Sequence, residues 1–237
     1  MRGDGGRADL LRRLSRTRQM TRPGTTYHYA SAPYDLLAEA IARRAGEPFE
    51  TLLARTLLGP LGMTSTTFDP RTDPVLAGRA APIAVGGLEG HPTPQDPELV
   101  GAFTDLHLCG GGLWSSAADL LRFGRAMLRG GELDGVRVLS PAMLALMTRE
   151  VTAPVGAPGG IGWKADPLQA DHYALGWGTP RADTIASPRA FGHGGVSGTR
   201  LWIDPAYDLA YVYLTGSWGL PLAPIDAVQA AIYTALS

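Results

Sequence analysis

Histidine and cysteine, the side chains most often used as bases, thiol nucleophiles and zinc ligands, number five and one in this sequence. His28, His91, His107 and His172 are scattered, with no His-x-x-x-His or paired ligand spacing, so no metal site is expected. Cys109 is the only cysteine, which leaves no internal disulfide and no Cys-x-x-Cys pair. With no basic neighbour to lower its pKa, it reads as a small buried side chain rather than a nucleophile. Gly110-Gly111-Gly112 could imitate a phosphate loop, but neither a preceding strand nor a Gly-Lys-Ser/Thr ending accompanies it. Ser197, in Gly195-Val-Ser-Gly-Thr199, lacks the last glycine of a nucleophile elbow. Two further groups could move protons: the phenol of Tyr29, in Pro23-Gly-Thr-Thr-Tyr-His-Tyr29-Ala-Ser31, and the imidazole of His193, in Phe191-Gly-His193-Gly194-Gly195. A tyrosine ahead of a helix is by itself usually a packing residue.

The elements that must position these groups are segregated rather than alternating. A weak helical pattern covers residues 9–16. A strong one covers 34–45, with Leu37 and Ile41 on one face and Gly46 as its stop. Pro48 suits the first turn of a further helix that runs to Leu58 and ends at Gly59-Pro60. Residues 69–111, rich in Pro and Gly, read as a long excursion over a site. Ser116-Ala-Ala-Asp119 is a capping box for a helix carrying apolar positions 120, 123, 127 and 128, closed by Gly130-Gly131. Ser140-Pro141 opens another helix, and 151–170 is a loop. Three strands follow, at about 190–194, 199–204 and 209–215, with a hairpin turn at Pro205-Ala-Tyr-Asp208. A last helix from Pro224 to Leu236 places Ile225, Val228 and Ile232 on one face. An antiparallel sheet flanked by helices makes the fold class α+β. Residues 1–237 read as one partial domain, with a mostly helical lobe at 34–150 and a C-terminal sheet and helix at 190–237. Trp114, Trp163, Trp177 and Trp202 suit core or cleft walls, and Trp163 and Trp177, in Gly-rich loops, suit a cleft better.

Three segments, in order, carry a resemblance. Tyr29-Ala-Ser-Ala-Pro-Tyr-Asp-Leu-Leu, followed by Pro48-Phe-Glu and Pro60-Leu-Gly-Met63, resembles the Tyr-x-Asn element of class C β-lactamase-like, penicillin-binding-protein-like serine hydrolases, with the helix pair and turn that follow it. Gly110-Gly-Gly-Leu-Trp-Ser-Ser-Ala-Ala-Asp resembles that family's glycine-rich entry to a long helix. Phe191-Gly-His193-Gly194-Gly195-Val-Ser-Gly-Thr resembles its last active-site strand, where His-x-Gly often replaces Lys-Thr-Gly. The resemblance covers nearly all of the chain from residue 20. It implies a β-lactamase/penicillin-binding-like fold and acyl transfer on an ester, amide or lactam through a serine acyl-enzyme, with no cofactor. By resemblance Tyr29 is the proton-shuttle tyrosine, and Ser31 stands where the family usually has asparagine. His193 replaces the lysine of the triad, Gly194 and Gly195 form the edge facing substrate, and Ser197 or its neighbour supplies an oxyanion N–H.

The family's nucleophile motif, Ser-x-x-Lys, does not occur in these residues. The only lysine is Lys164, and Ile161 stands three places before it. Ser15-Arg-Thr-Arg18 is the nearest imitation, but a guanidinium cannot serve as a base. The expectation is an N-terminally truncated member, with the nucleophile helix and first strands upstream of Met1. The alternative is a non-catalytic fragment or pseudoenzyme. Truncation would leave a sheet edge open to self-association. A formal net charge of −1 gives no attraction for nucleic acid, and no apolar run reaches membrane-spanning length. Residues 1–22 are polar and arginine-rich, not a signal peptide, so the chain as it stands reads as cytoplasmic unless the true N-terminus lies elsewhere.

Overall fold

The computed structural model describes residues 6–19, 21–86, 92–93, 101, 104–152, 172–180, 184–218 and 223–236. His91, Trp163, Lys164 and most of the 151–170 loop lie outside these residues. The fold is α+β: a three-stranded antiparallel sheet with a helix on each face. Among the described residues no helix is long and apolar enough to cross a membrane.

The sheet comprises β5 (Phe191–Gly195), β6 (Thr199–Asp204) and β7 (Leu209–Tyr213), in that spatial order, and is preceded in the chain by a short antiparallel pair, β3 (Glu132–Leu133) and β4 (Val136–Arg137). The central strand divides its side chains by the two-residue period of a strand. Leu201 and Ile203 face the helix Ala117–Leu128, numbered α5 below, and a Cβ added to Gly124 of that helix would stand 3.0 Å from Leu201 Cδ1. Arg200, Trp202 and Asp204 face the C-terminal helix Ala223–Leu236, here α7. On the α5 side Leu61, Met127, Trp177, Phe191 and Ile203 form the larger core. On the α7 side Trp202, Tyr211 and Tyr233 form the smaller one. The hairpin at Pro205–Asp208 has Asp208 at φ 49° and is braced by the Asp204 carboxylate, which accepts from the Ala206 amide at 3.1 Å. Among the described residues no strand pairs with the outer edge of β7.

Local signals set the helix boundaries. Ahead of α5 come α1 (Arg7–Ser15), α2 (Ala32–Ala45), α3 (Phe49–Leu53) and α4 (Pro74–Arg79), and α6 (Pro141–Met147) follows it. Gly46 closes α2 at φ 75°, and Ser140 caps α6 by accepting from the Met143 amide. Ser116 caps α5 through the Asp119 amide, but the box is only half formed. The buried Asp119 carboxylate accepts instead from the Ser65 amide (2.8 Å) and the Thr66 hydroxyl (2.7 Å), tying the turn after Met63 to α5.

Several expectations are corrected. The helix after Pro48 is α-helical only to Leu53 and widens to a π-helix at Ala54–Leu58, where the Gly59 amide reaches Ala54 O at 2.8 Å. Leu37 and Ile41 of α2 do not face the core; Asp35 and Ala38 do. The Asp35 carboxylate accepts from the Cys109 amide at 2.7 Å, and this bond turns Leu37, 55% exposed, to the outside. In α7 the buried face is Ile225, Gln229 and Tyr233, because Gln229 and Tyr233 carry the polar contacts to β6, while Val228 and Ile232 are only partly buried. The excursion at 69–111 contains regular structure: α4, a short 3-10 turn at Pro70–Thr72, and β1 (Ala84–Gly86), which pairs with β2 (Pro92–Thr93) and in parallel with β8 (Ser217–Trp218).

Candidate active site

The segment ahead of α2 carries Tyr29 onto the end of the sheet. Its ring lies 6.3 Å, centroid to centroid, from that of His193 in the middle of β5, with 27° between the planes. The two side chains named as catalytic are thus neighbours although they lie far apart in sequence. Ser31 occupies the N-cap position of α2, with no side-chain cap bond. A Cβ on Gly110 would stand 2.6 Å from Ser31 Cβ and 2.7 Å from Ser31 O. The first glycine of the Gly110–Gly112 run is therefore required by close backbone approach, not by phosphate binding.

Gly194 and Gly195 end β5, paired with Arg200 and Thr199. A side chain at Gly195 would collide with Thr199 Oγ1 at 2.3 Å, so this edge is bare for lack of room. Ser197 lies beyond it in the turn, closed by the Gly198 amide bonding Gly195 O. Its carbonyl accepts from the Ser217 amide (3.1 Å) and the Thr215 hydroxyl (2.7 Å), which anchors the turn to β8.

Two phenols not singled out from the sequence complete the group. Tyr173 Oη lies 3.1 Å from His193 Nε2, and His193 Nδ1 lies 2.6 Å from Gly194 O. Tyr27 stacks on Tyr173 at 5.2 Å and shares a hydrogen bond with it. Tyr173 arrives on the loop 172–178, which docks through paired Gly178 and Gly192. The only sequence signal was an aromatic residue ahead of Gly176-Trp177-Gly178, and that pattern alone reads as packing. Trp177 is no cleft wall. It is buried between Phe123 and Phe191 in the larger core. Trp202 is likewise core.

Burial sets the electrostatics. Desolvation pushes the Tyr27 phenol up to about 12, against the opposing hydrogen bond with Tyr173 and helped by Tyr29 and Tyr34, and it raises Tyr29 and Tyr173 as well. The Tyr29 phenol is therefore held in its neutral form. Cys109 does have a basic neighbour, contrary to expectation: Arg7 Nη2 lies 3.7 Å from Sγ. Burial still outweighs it and raises the thiol, so the residue remains a poor nucleophile.

The tyrosine cluster makes a pH prediction. A folded-state pKa above the unfolded value of about 10 means the native chain holds these protons longer than the unfolded chain does. That stability is fully present below about pH 10 and is lost as pH rises through about 12, the Tyr27 value. Tyr233, raised by burial and the Asp204 carboxylate, adds to the same slope. Melting temperature should fall between about pH 10 and about pH 12, less steeply in Tyr27→Phe. A flat profile in the native chain would show that the phenols are not desolvated.

Comparison with known proteins points one way. The family model described as Beta-lactamase matches residues 2–235. A protein of Escherichia coli (strain K12) bearing the name D-alanyl-D-alanine carboxypeptidase is 26% identical over 234 residues, 92% of this chain and 51% of its own. The chain thus spans about half the length of the curated relatives it matches. A solved beta-lactamase from Mycobacterium bovis is 27% identical with a TM-score of 0.59, covering 92% of this chain and 68% of that one. The fold is also shared with simvastatin synthase from Aspergillus terreus in a mutant form (TM-score 0.77, 18% identity, 95% and 59% covered). It is shared too with EstCE1, a hydrolase with promiscuous acyltransferase activity (TM-score 0.74, 21% identity, 96% and 61% covered).

Proposed function

The chain belongs to the beta-lactamase family, and on that premise we propose that it forms the proton-relay and substrate-holding part of a serine acyl-transfer site acting on an ester, amide or lactam. The observation that carries this is the stacking of Tyr29 on His193 at the bare edge of β5. Tyr29 passes the proton between the attacking serine and the leaving group as its hydroxyl alternates between donor and acceptor. His193, Gly194 and Gly195 line the acyl group. Ser31 offers a hydroxyl in place of an amide, and the backbone at Ser197 or beside it presents an N–H to the developing oxyanion. The nucleophile pair itself is not among these residues, since Lys164 is the only lysine and Ile161, not a serine, stands three places before it.

That same absence favours a second reading, a non-catalytic member that keeps a substrate-shaped surface. One experiment separates the two. Nitrophenyl acetate and nitrocefin are offered to the 237 residues alone and to a polypeptide carrying them together with a Ser-x-x-Lys helix. The first should be no faster than a denatured control, and the second should turn over saturably. Turnover by the 237 residues alone, abolished by one serine replacement such as Ser15→Ala, would refute the division of labour. No turnover in the longer polypeptide would leave the non-catalytic reading. The β7 edge, which no strand covers among the described residues, also supports self-association. Sedimentation velocity on the same samples checks it, and a concentration-independent monomer would end that part.

A further inference from the structure

The Tyr173–His193 contact has a chemical direction. A carbonyl oxygen only accepts, so the 2.6 Å contact between His193 Nδ1 and Gly194 O requires a proton on Nδ1. In the neutral imidazole Nε2 then carries a lone pair, and the group 3.1 Å from it is the hydroxyl of Tyr173. The phenol must therefore donate to Nε2, and in the hydrogen bond it shares with Tyr27 its oxygen accepts, since a phenol has one proton to give. It is well placed to do so. Tyr173 is 5% exposed, its amide donates to Thr152 Oγ1 at 2.7 Å, its carbonyl accepts from the Val151 amide at 2.8 Å, and Tyr27 stacks on its ring. Its loop is pinned to β5 one residue before His193, through Gly178 and Gly192. Gly192 must be glycine, since a Cβ there would lie 2.4 Å from Leu201 O.

We propose that Tyr173 is a positioning residue that holds His193 as the Nδ1–H tautomer, with Nε2 turned to the Tyr173 hydroxyl and the ring plane fixed against Tyr29. The proposal rests on the reading of His193 as a substrate-facing residue, but its test needs no turnover, so the two can fail separately. Both ring nitrogens are engaged within the protein. His193 consequently presents the substrate with a ring face of set orientation, not a swinging N–H donor. The difference from the lysine it replaces is one of geometry as well as charge.

The test is nitrogen-15 long-range NMR of the imidazoles in the 237-residue chain, above the histidine titration range, with the His193 signals identified by His193→Gln. The expected result is a protonated Nδ1 and a bare Nε2 in the native chain. Loss of one hydrogen bond of ordinary net strength should change the tautomer ratio in Tyr173→Phe by about tenfold. Tyr27→Phe, which leaves the Tyr173 hydroxyl in place, should keep the native tautomer. An Nε2–H ring in the native chain, or an unchanged ratio in a folded Tyr173→Phe, overturns the proposal. Should Tyr173→Phe not fold, the native chain still decides. A Tyr173 hydroxyl proton correlated through space with the His193 ring upholds the proposal, and its absence beside an exchange-protected histidine N–H directed at Tyr173 sinks it.

Discussion

Tyr29→Phe, made in a polypeptide that carries these residues with a Ser-x-x-Lys helix, is expected to lower kcat by about 10²–10⁴-fold, the usual worth of a positioned proton-transfer group. The change removes one oxygen and leaves the ring, so the contacts of Tyr29 with His193 at 6.3 Å and Tyr173 at 6.0 Å persist. KM should move little, because the loss falls on the transition state and not on ground-state binding. Tyr29 is 54% exposed, so the substitution should cost the fold little. His193→Ala should behave oppositely, raising KM by removing part of the wall that holds the acyl group. A Tyr29→Phe protein within about threefold of the parent would show that the proton travels by another route.

The second large effect is on stability. Asp204, at the end of β6, has no exposed surface. Its carboxylate accepts from the Ser187 amide (2.9 Å), the Ser187 hydroxyl (2.5 Å), the Ala206 amide (3.1 Å) and the Tyr233 hydroxyl (2.7 Å). Tyr233 in turn accepts from Trp202 Nε1 at 3.0 Å. One residue thus holds α7, the β6–β7 turn and the segment before β5 together. Asp204→Ala would strand the buried Tyr233 hydroxyl and leave the part-buried Ser187 and Ala206 donors to water, for a total of about 3 kcal/mol. Net stabilities run only about 5–15 kcal/mol, and the variant should be largely unfolded or shifted to a much lower urea midpoint. Asp226→Ala is the contrast. Arg200, buried under α7, loses a 3.1 Å partner that is itself partly exposed but keeps Gln229 Oε1 at 2.9 Å. Its cost should be about 1 kcal/mol. Equal urea midpoints for the two variants would mean that the Asp204 network does not hold the helix to the sheet.

The sequence by itself determined what is carried by short-range chemistry. A cap bonds a backbone amide two or three residues on, and Ser116 and Ser140 were legible for that reason. Gly46 and Gly130-Gly131 mark left-handed stops, and Pro205–Asp208 marks a hairpin, because such conformations are reserved for a few residue types. The order of Tyr29, the glycine run and His193-Gly194-Gly195 was legible as well, which gave the family and the α+β class before any coordinates.

Only the tertiary structure decided which faces turn inward. On α2 the apolar period points to Leu37 and Ile41, yet one bond from Asp35 to the Cys109 amide, 74 residues away, selects the opposite side. On α7 the polar Gln229 and Tyr233 displace Val228 and Ile232 because Arg200, Asp204 and Trp202 of β6 need partners. Trp177 belongs to the core and Tyr173 to the site, although they stand four residues apart in one glycine-rich loop. Cys109 meets Arg7 of α1, 102 residues earlier in the sequence. Each of these rests on a contact between segments distant in the chain. Residue type and spacing specify what a side chain can bond. Packing, which must satisfy every buried polar group at once, specifies which bond it makes.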